Sequence, residues 1–390
     1  MTKGVVAPLA VRIVARPSVA EEIGRLLDSP EVAELVAELN ALRWTGRKGY
    51  GSRALVGAAL TKSIYNIATW SRTAALIGEH VALQDALGGA PSVYACYRFA
   101  TKLREHKPIL DATLARLVAS LSAELPEYGQ DIAIDASDLP AYANGQRFLS
   151  KNGPERERYS DPDASWGHRS AVSTRKGGGY YGWKLHLAVC TRTDLPITGR
   201  VETARAHEAS MADDLLQRVR ELKVSPATVA MDKGYDTQPV HDSCHAAGCL
   251  PVIPLKATLG VKRGEHKPPT CEHGTWVFAG TDAKRKLTKW RCPHAAASSK
   301  GQLRIACSPA SVWVKASRLH PLIPRESKRY RDLYRGRGAV ERAFGRLKNE
   351  RGLKPLRVRG QERVALHADL CILATLASAL ARARAVPLAA

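Results

Sequence analysis

Residues 131–137 read DIAIDAS, an apolar run, Ile132-Ala133-Ile134, that closes on the carboxylate of Asp135. Three apolar residues, two of them β-branched, predict a short strand. An acid at its end is costly unless it faces solvent, a partner or a metal. The same pattern returns in ATVAMDKGYD (227–236), where Val229-Ala230-Met231 closes on Asp232. Between the two lie GWKLHLAVCT (182–191), which alternates as a strand, LPITGRVETA (195–204), another, and MADDLLQRVRELK (211–223), an amphipathic helix. HDSCHAAGC (241–249) predicts a short helix and LPVIPLK (250–256) one more strand. Strands first and strand–helix alternation afterwards predict an α/β fold, a mixed sheet flanked by helices.

Before Asp131 the texture is helical. Apolar positions recur at helical spacing in 21–44, 53–77 and 108–125, with breaks at Thr45-Gly46, Gly88-Gly89 and Pro91 and with Ser92 placed to cap the next helix. Short helices with basic tips fit a DNA-docking module, and a plain helical bundle fits the segment equally well. A polar loop is expected from Asn144 to Gly179. From Lys256 to Pro324 Pro, Gly, Lys, Cys and His are frequent without a long period, which suggests an inserted subdomain. A basic helix from Glu326 to about Gly352 and an apolar one from Arg363 to about Ala385 close the chain. The expected divisions are a helical domain (1–128), an α/β domain in two parts (129–255 and 325–390), and the insertion (256–324).

The 390 residues carry 59 Lys and Arg against 37 acids, a formal charge of +22. That excess favours a polyanionic partner, nucleic acid first and an anionic membrane surface second, over charge kept for solubility. The most apolar stretch, Leu370 to Leu380, is shorter than the roughly 20 residues a bilayer crossing requires, so no membrane span is expected. Arg12 and Arg16 interrupt the N-terminal apolar run and make it a poor signal peptide. Eight dispersed cysteines do not make a secreted disulfide framework, so a reducing compartment is expected. The GGGYYG segment lacks the Gly-Lys-Ser/Thr ending of a phosphate-binding loop, and no nucleotide cofactor is expected.

On the basic helix, Tyr334, Arg337, Glu341 and Lys348 fall near 0°, 300°, 340° and 320° at about 100° per residue, one narrow face. It joins one carboxylate to three groups able to bind phosphate. A solvated Arg337–Glu341 salt bridge is the plain alternative, but Arg four residues before Glu is the weaker orientation, and it leaves Tyr334 and Lys348 unexplained. With Asp135 and Asp232, Glu341 completes a set of hard oxygen donors of the kind Mg²⁺ prefers. Two such ions about 3.5–4 Å apart can drive in-line phosphoryl displacement. Either aspartate could instead be a turn or helix cap, and Asp138 and Asp236, just past the expected strand ends, are the runners-up.

Tyr334-x2-Arg337-x3-Glu341-x6-Lys348 resembles the Tyr-Arg-Glu-Lys motif of bacterial insertion-sequence transposases of the DDE superfamily, whose catalytic domain is RNase H-like. IAIDAS around Asp135, YGWKLHLAV with Lys184 and His186, VAMDKGYD around Asp232, and the helical stretch Gly46 to Phe99 with PSVYACYRF are similar to that family as well. The resemblance spans about residues 45 to 385. It implies that Asp135, Asp232 and Glu341 bind two Mg²⁺ (or Mn²⁺) ions, and that Tyr334, Arg337 and Lys348 contact the backbone of the transposon ends. It further implies hydrolysis freeing a 3′-OH that attacks target DNA, double-stranded DNA as partner, a homodimer holding paired ends, and a cytoplasmic, nucleoid-associated prokaryotic protein. Where relatives often carry Asn, this chain has His207. The spacing of 109 positions from Asp232 to Glu341 agrees with an insertion. In relatives an insertion Trp can stack on a flipped base; Trp276, Trp290 and Trp313 are candidates, with ordinary core packing the alternative for each. A metal-dependent nuclease without strand transfer and a non-catalytic transposon-derived DNA-binding protein are the competing functions.

The insertion also holds Cys271-x-His273, Cys292-Pro-His294 and Cys307. Five candidates for four tetrahedral positions leave two readings open, a structural Zn²⁺ (Cys271, His273, Cys292 and Cys307 the set preferred) and a basic loop with unliganded thiols. Cys96, Cys190 and Cys371 stand in apolar contexts and are expected in the core.

Overall fold

A computed structural model describes residues 18–42, 49–151, 153–155, 157–169, 171, 176–256, 267–298 and 306–385. The N-terminal apolar run up to residue 17 and the Thr45-Gly46 break lie outside them. Seven helices come first: α1 (Val19–Asp28), α2 (Pro30–Ala41), α3 (Ser52–Ile64), α4 (Trp70–Glu79), α5 (Val81–Leu87), α6 (Val93–Glu105) and α7 (Lys107–Glu124). Their starts follow local chemistry: Ser18 forms a capping box with Glu21, and Ser92 accepts from the Ala95 amide to open α6. Gly88 ends α5 in the left-handed conformation that Gly adopts without strain.

The sheet follows, with β1 (Asp131–Pro140), β2 (Ser165–Arg169), β3 (Gly178–Cys190) and β4 (Pro196–Thr203), then α8 (Met211–Glu221), β5 (Thr228–Ala230), α9 (Gln238–Ala246) and β6 (Leu250–Val252). Its order is β2-β3-β1-β5-β6, with β4 also paired to β3. β1 runs antiparallel to β3 and parallel to β5, which is parallel to β6. Two expectations need correcting. β1 continues to Pro140, so Asp135 lies within it and Asp138 is not past its end; the β3 ladder, from Ile132↔Cys190 to Pro140↔Gly182, sustains the extra length. The loop expected from 144 to 179 contains β2, a short strand the polar composition concealed.

The insertion builds a hairpin, β7 (Thr270–Cys271) and β8 (Gly274–Thr275), and a three-stranded sheet of β9 (Val277–Asp282), β10 (Leu287–Arg291) and β11 (Ser311–Lys315), with α10 (Pro293–Ser298) between its last two strands. The chain ends on α11 (Lys328–Arg335), α12 (Gly338–Asn349) and α13 (Gln361–Ala385). The one basic helix expected is therefore two. At the junction Gly336, Arg337, Ala339 and Val340 each donate to the carbonyl three residues back, a 3₁₀ step. Two glycines, poor helix formers, permit it. A side chain at position 336 would come within 3.1 Å of Thr191, which keeps the step pressed on the strand end.

With 25 residues, α13 is long and apolar enough by length and composition to cross a bilayer, more than the Leu370–Leu380 run suggested. Most of it is buried within the protein, so it is a core helix. It packs on α7, β4, α3 and α6 and joins the leading helices and the sheet in one apolar core. Polar links reinforce it: Arg384 pairs with Glu31 at 2.7 Å, and Lys107 with Asp369 at 3.1 Å.

His186, on β3, is fully buried, and neither ring nitrogen has a hydrogen-bond partner among the described residues. Burial, with Lys184 and Arg200 nearby, pushes its pKa from 6.5 down to about 4. Below pH 6.5 the unfolded chain takes up this proton and the folded chain does not, so stability is lost as pH falls from about 6.5 to about 4. His186→Leu removes that loss. We expect it to match wild type above neutral pH and to exceed it by about 2 kcal/mol at about pH 5 in urea titrations. Parallel pH profiles for the two proteins would refute the assignment.

Candidate active site

The parallel ladder between β1 and β5 ends at Ala133↔Ala230. Asp135 and Asp232 each stand two residues beyond that last pair, at the same level, where the strands part. Carboxyl ends of parallel strands are where open α/β sheets form ligand clefts. After β5 the chain makes a single 3₁₀ turn, Lys233–Tyr235, which Asp232 caps by accepting from the Gly234 amide at 2.6 Å. A Cβ at Gly234 would lie 2.8 Å from the same carboxylate oxygen, so the turn requires glycine. The capping alternative for Asp232 is thus real, and it engages one of the two oxygens.

α12 buries Ala339, Val340, Ala343, Phe344 and Leu347 against β1 and β3, which turns Glu341 to the outside. Arg337, at the 3₁₀ step, links the parts. Its Nη1 donates to Asp135 Oδ2 at 2.9 Å and its Nη2 to Glu341 Oε1. The i,i+4 salt bridge weighed as the plain alternative therefore exists, as one arm of a fork that holds two distant carboxylates. Lys348, the penultimate residue of α12, donates to Ser137 Oγ at 2.7 Å and to the Asp138 carbonyl at 2.8 Å. Tyr334 stacks on Tyr330, ring centroids 5.8 Å apart. Of the stripe read from the sequence, Arg337 and Lys348 turn onto β1, while Glu341 stays exposed on the arm of Arg337.

Asp135 is largely buried. Burial pushes its carboxyl up to about 7, aided by the negative charges of Asp232 and Glu208 and opposed by the Ala136 amide and Arg337. One guanidinium does not cancel the repulsion. The hydroxyl of Tyr235, fully buried beside the same three acids, has no hydrogen-bond partner among the described residues. Hard oxygen donors, excess negative charge and an orphaned hydroxyl suit a divalent cation. The oxygens of Asp135, Asp232 and Glu341 do not all lie within 4.8 Å of one another.

Glu208 was missed by sequence reasoning. It follows the singled-out His207, takes an ion pair from Lys184 at 3.0 Å and acts electrostatically on Asp135. Its only sequence signal was adjacency to His207. Glu208 and Gly234 line an open cleft of about 600 Å³ with Trp166, Lys184, Arg205, His207 and Lys256, so cationic and aromatic groups wall the approach to the acids. The runners-up resolve differently. Asp138 is occupied by Arg169 at 3.1 Å. Asp236, the start of an insertion anchor, is fully enclosed by His241, the Lys256 amide, Arg318 and Arg325.

Of the insertion tryptophans, Trp290 is core rather than a DNA contact. It is 4% exposed, sits edge-on to Phe278 and donates its indole N–H to Thr288 at 3.0 Å. Trp276 is half-buried, and Trp313 is 43% exposed with Lys289 over its ring at 5.4 Å.

Two strand-borne aspartates thus stand at one end of a mixed sheet, and the Arg337 fork joins one of them to a helix-borne glutamate. The chain belongs to the Transposase DDE domain family, whose model matches residues 129–377. No curated protein matches. Among solved structures, that of a piggyBac transposase synaptic complex with hairpin DNA is similar over 95% of this chain and 77% of that one, at 11% identity and a TM-score of 0.40. The family assignment rests on the sequence model alone.

Proposed function

We propose that this protein is a DNA transposase that cleaves at transposon ends in a metal-dependent reaction and joins the freed 3′-OH to target DNA. The observation that carries the reading is the Arg337 fork, which reaches back 202 residues to Asp135 and ties it to Glu341 beside the strand end bearing Asp232. Asp135, Asp232 and Glu341 would hold two Mg²⁺ (or Mn²⁺) ions, which when bound activate the attacking oxygen and stabilise the leaving one. Arg337 holds two of these carboxylates together, one on each arm of its guanidinium. Lys348 fixes the far end of α12 to β1, so the helix cannot carry Glu341 away from the strands. Lys184, Arg205 and Lys256 give the DNA backbone a cationic approach, and Tyr334 borders it, with Arg337 and Lys348 behind.

In this reading residues 129–255 and 325–390 form an RNase H-like catalytic domain, supported by a sheet antiparallel on one side of β1 and parallel on the other. Residues 1–128 dock DNA, and residues 256–324 are an insertion. The partners are double-stranded transposon ends and target, held by a homodimer. Incubating the chain with a 3′-labelled end, target DNA and Mg²⁺, without nucleotide, should give strand-transfer products. Cleavage without joining would make it a nuclease, and binding alone a DNA-binding relic. DNA affinity should fall roughly 10³- to 10⁵-fold between about 50 and 200 mM salt if six to ten phosphates are neutralised; a flat response would count against DNA as the partner.

A further inference from the structure

Residues 267–315 carry two small sheets but little apolar core. Among their described residues only Trp290 and Cys292 are buried hydrophobics, and neither belongs to the main core. A unit this small ordinarily needs a disulfide, a metal or a partner to hold it. All eight cysteines of the chain are free, and the Cys271 and Cys292 sulfurs are 3.9 Å apart, far beyond the roughly 2.05 Å of a disulfide.

We propose that the insertion is held by a structural Zn²⁺ bound to Cys271 Sγ, His273 Nδ1, Cys292 Sγ and Cys307 Sγ. These four ligand atoms all lie within 4.8 Å of one another, and they form the one such Cys/His/acid cluster among the described residues. A tetrahedral ion with Zn–S near 2.3 Å and Zn–N near 2.0 Å sets its ligands about 3.8 Å apart for sulfur–sulfur and about 3.5 Å for sulfur–nitrogen. The observed separations are 3.9 Å for Cys271–Cys292, 3.4 Å for His273–Cys292 and 3.2 Å for His273–Cys307. Three sulfurs and an imidazole nitrogen select a soft tetrahedral ion over the hard cation suited to the carboxylate site.

The backbone prepares the site. Cys271 pairs with Gly274 across the β7–β8 hairpin, and Gly274 takes a φ of +106° that a residue with a side chain adopts with strain, which folds His273 back over the cysteine. Cys292 follows β10 and Cys307 precedes β11, so one ion would tie the hairpin to the three-stranded sheet. His294, the fifth candidate, is not in the cluster; its ring packs on His273, centroids 3.9 Å apart, where it supports the ligand.

The test uses the full chain, purified under reducing conditions. Elemental analysis should find one zinc per chain, and Co²⁺ exchanged into wild type should give the intense visible bands of a tetrahedral thiolate site. Cys292→Ser, Cys307→Ser and His273→Ala should each lose the metal, while His294→Ala keeps it. Wild type that neither retains zinc nor gives the cobalt spectrum overturns the proposal, and this reading requires no variant to fold. Loss of metal in His294→Ala with retention in His273→Ala overturns the ligand set. DNA cleavage is not measured, so the outcome stands apart from the proposed activity.

Discussion

Glu341→Gln should bind DNA as wild type does and lose about 10³-fold in both cleavage and joining, the scale of removing an interaction made in the transition state. The structure gives two reasons to expect so clean a separation. Glu341 is exposed on the first turn of α12, where its side chain is 60% accessible, and its ion pair to Arg337 is of the surface kind, worth about 0–1 kcal/mol. Glutamine keeps the volume and can still accept from Arg337, so the helix and its packing on β1 and β3 should be untouched. What disappears is one negative charge at the mouth of the acid cluster. Like Asp232 on its own turn, Glu341 has one oxygen engaged, and unlike Asp135 it is exposed with its second oxygen open to a cation. The measurements are the rate of end cleavage, strand-transfer yield, DNA affinity and the melting temperature. Wild-type cleavage in the variant would remove Glu341 from the site; a melting temperature lowered by more than about 4 °C would show that it has a structural role instead.

How far the sequence reveals this arrangement depends on whether each signal is local. Asp135 and Asp232 are legible because an acid closing an apolar run is anomalous in itself, and the shared register that places them level is a property of parallel pairing. The stripe Tyr334, Arg337, Glu341 and Lys348 is legible as a set, but helical periodicity is blind to the 3₁₀ step that two glycines introduce. What periodicity could not give is direction: whether Arg337 faces DNA or bridges two carboxylates is decided by β1, some 200 residues earlier. Glu208 and β2 escape for the same reason. Each sits in a polar segment whose role is set by what lies opposite, Lys184 for one and the outer edge of β3 for the other. In the insertion the Cys and His spacings name the candidates, and only the fold separates His273 from His294.

Asp236→Ala tests the other acid of the DKGYD segment and should unfold rather than inactivate. Its side chain is fully buried and accepts from His241 Nε2 at 3.1 Å, the Lys256 amide at 2.8 Å, Arg318 at 2.7 Å and Arg325 at 3.3 Å. Burial alone would push its pKa up; the His241 hydrogen bond, the Lys256 amide and the two arginines outweigh it and hold the carboxyl below its ordinary value. Lys256 opens the insertion, Arg318 lies near its end and Arg325 just past it, so one carboxylate moors both of its stems to the turn that follows β5. Alanine would leave two enclosed guanidiniums and an amide without this acceptor, a loss of about 3–5 kcal/mol, against total stabilities of about 5–15 kcal/mol. The melting temperature should drop by roughly 10 °C, and protease cutting should rise within 256–325 before the rest of the chain. Asp236→Asn cannot rescue it, because an amide brings N–H donors into a site that already holds four. If Asp236→Asn instead melted with wild type and lost only cleavage, Asp236 would be a reacting-site acid, and the arginines around it would have to be read as part of the phosphate-handling machinery rather than as a mooring.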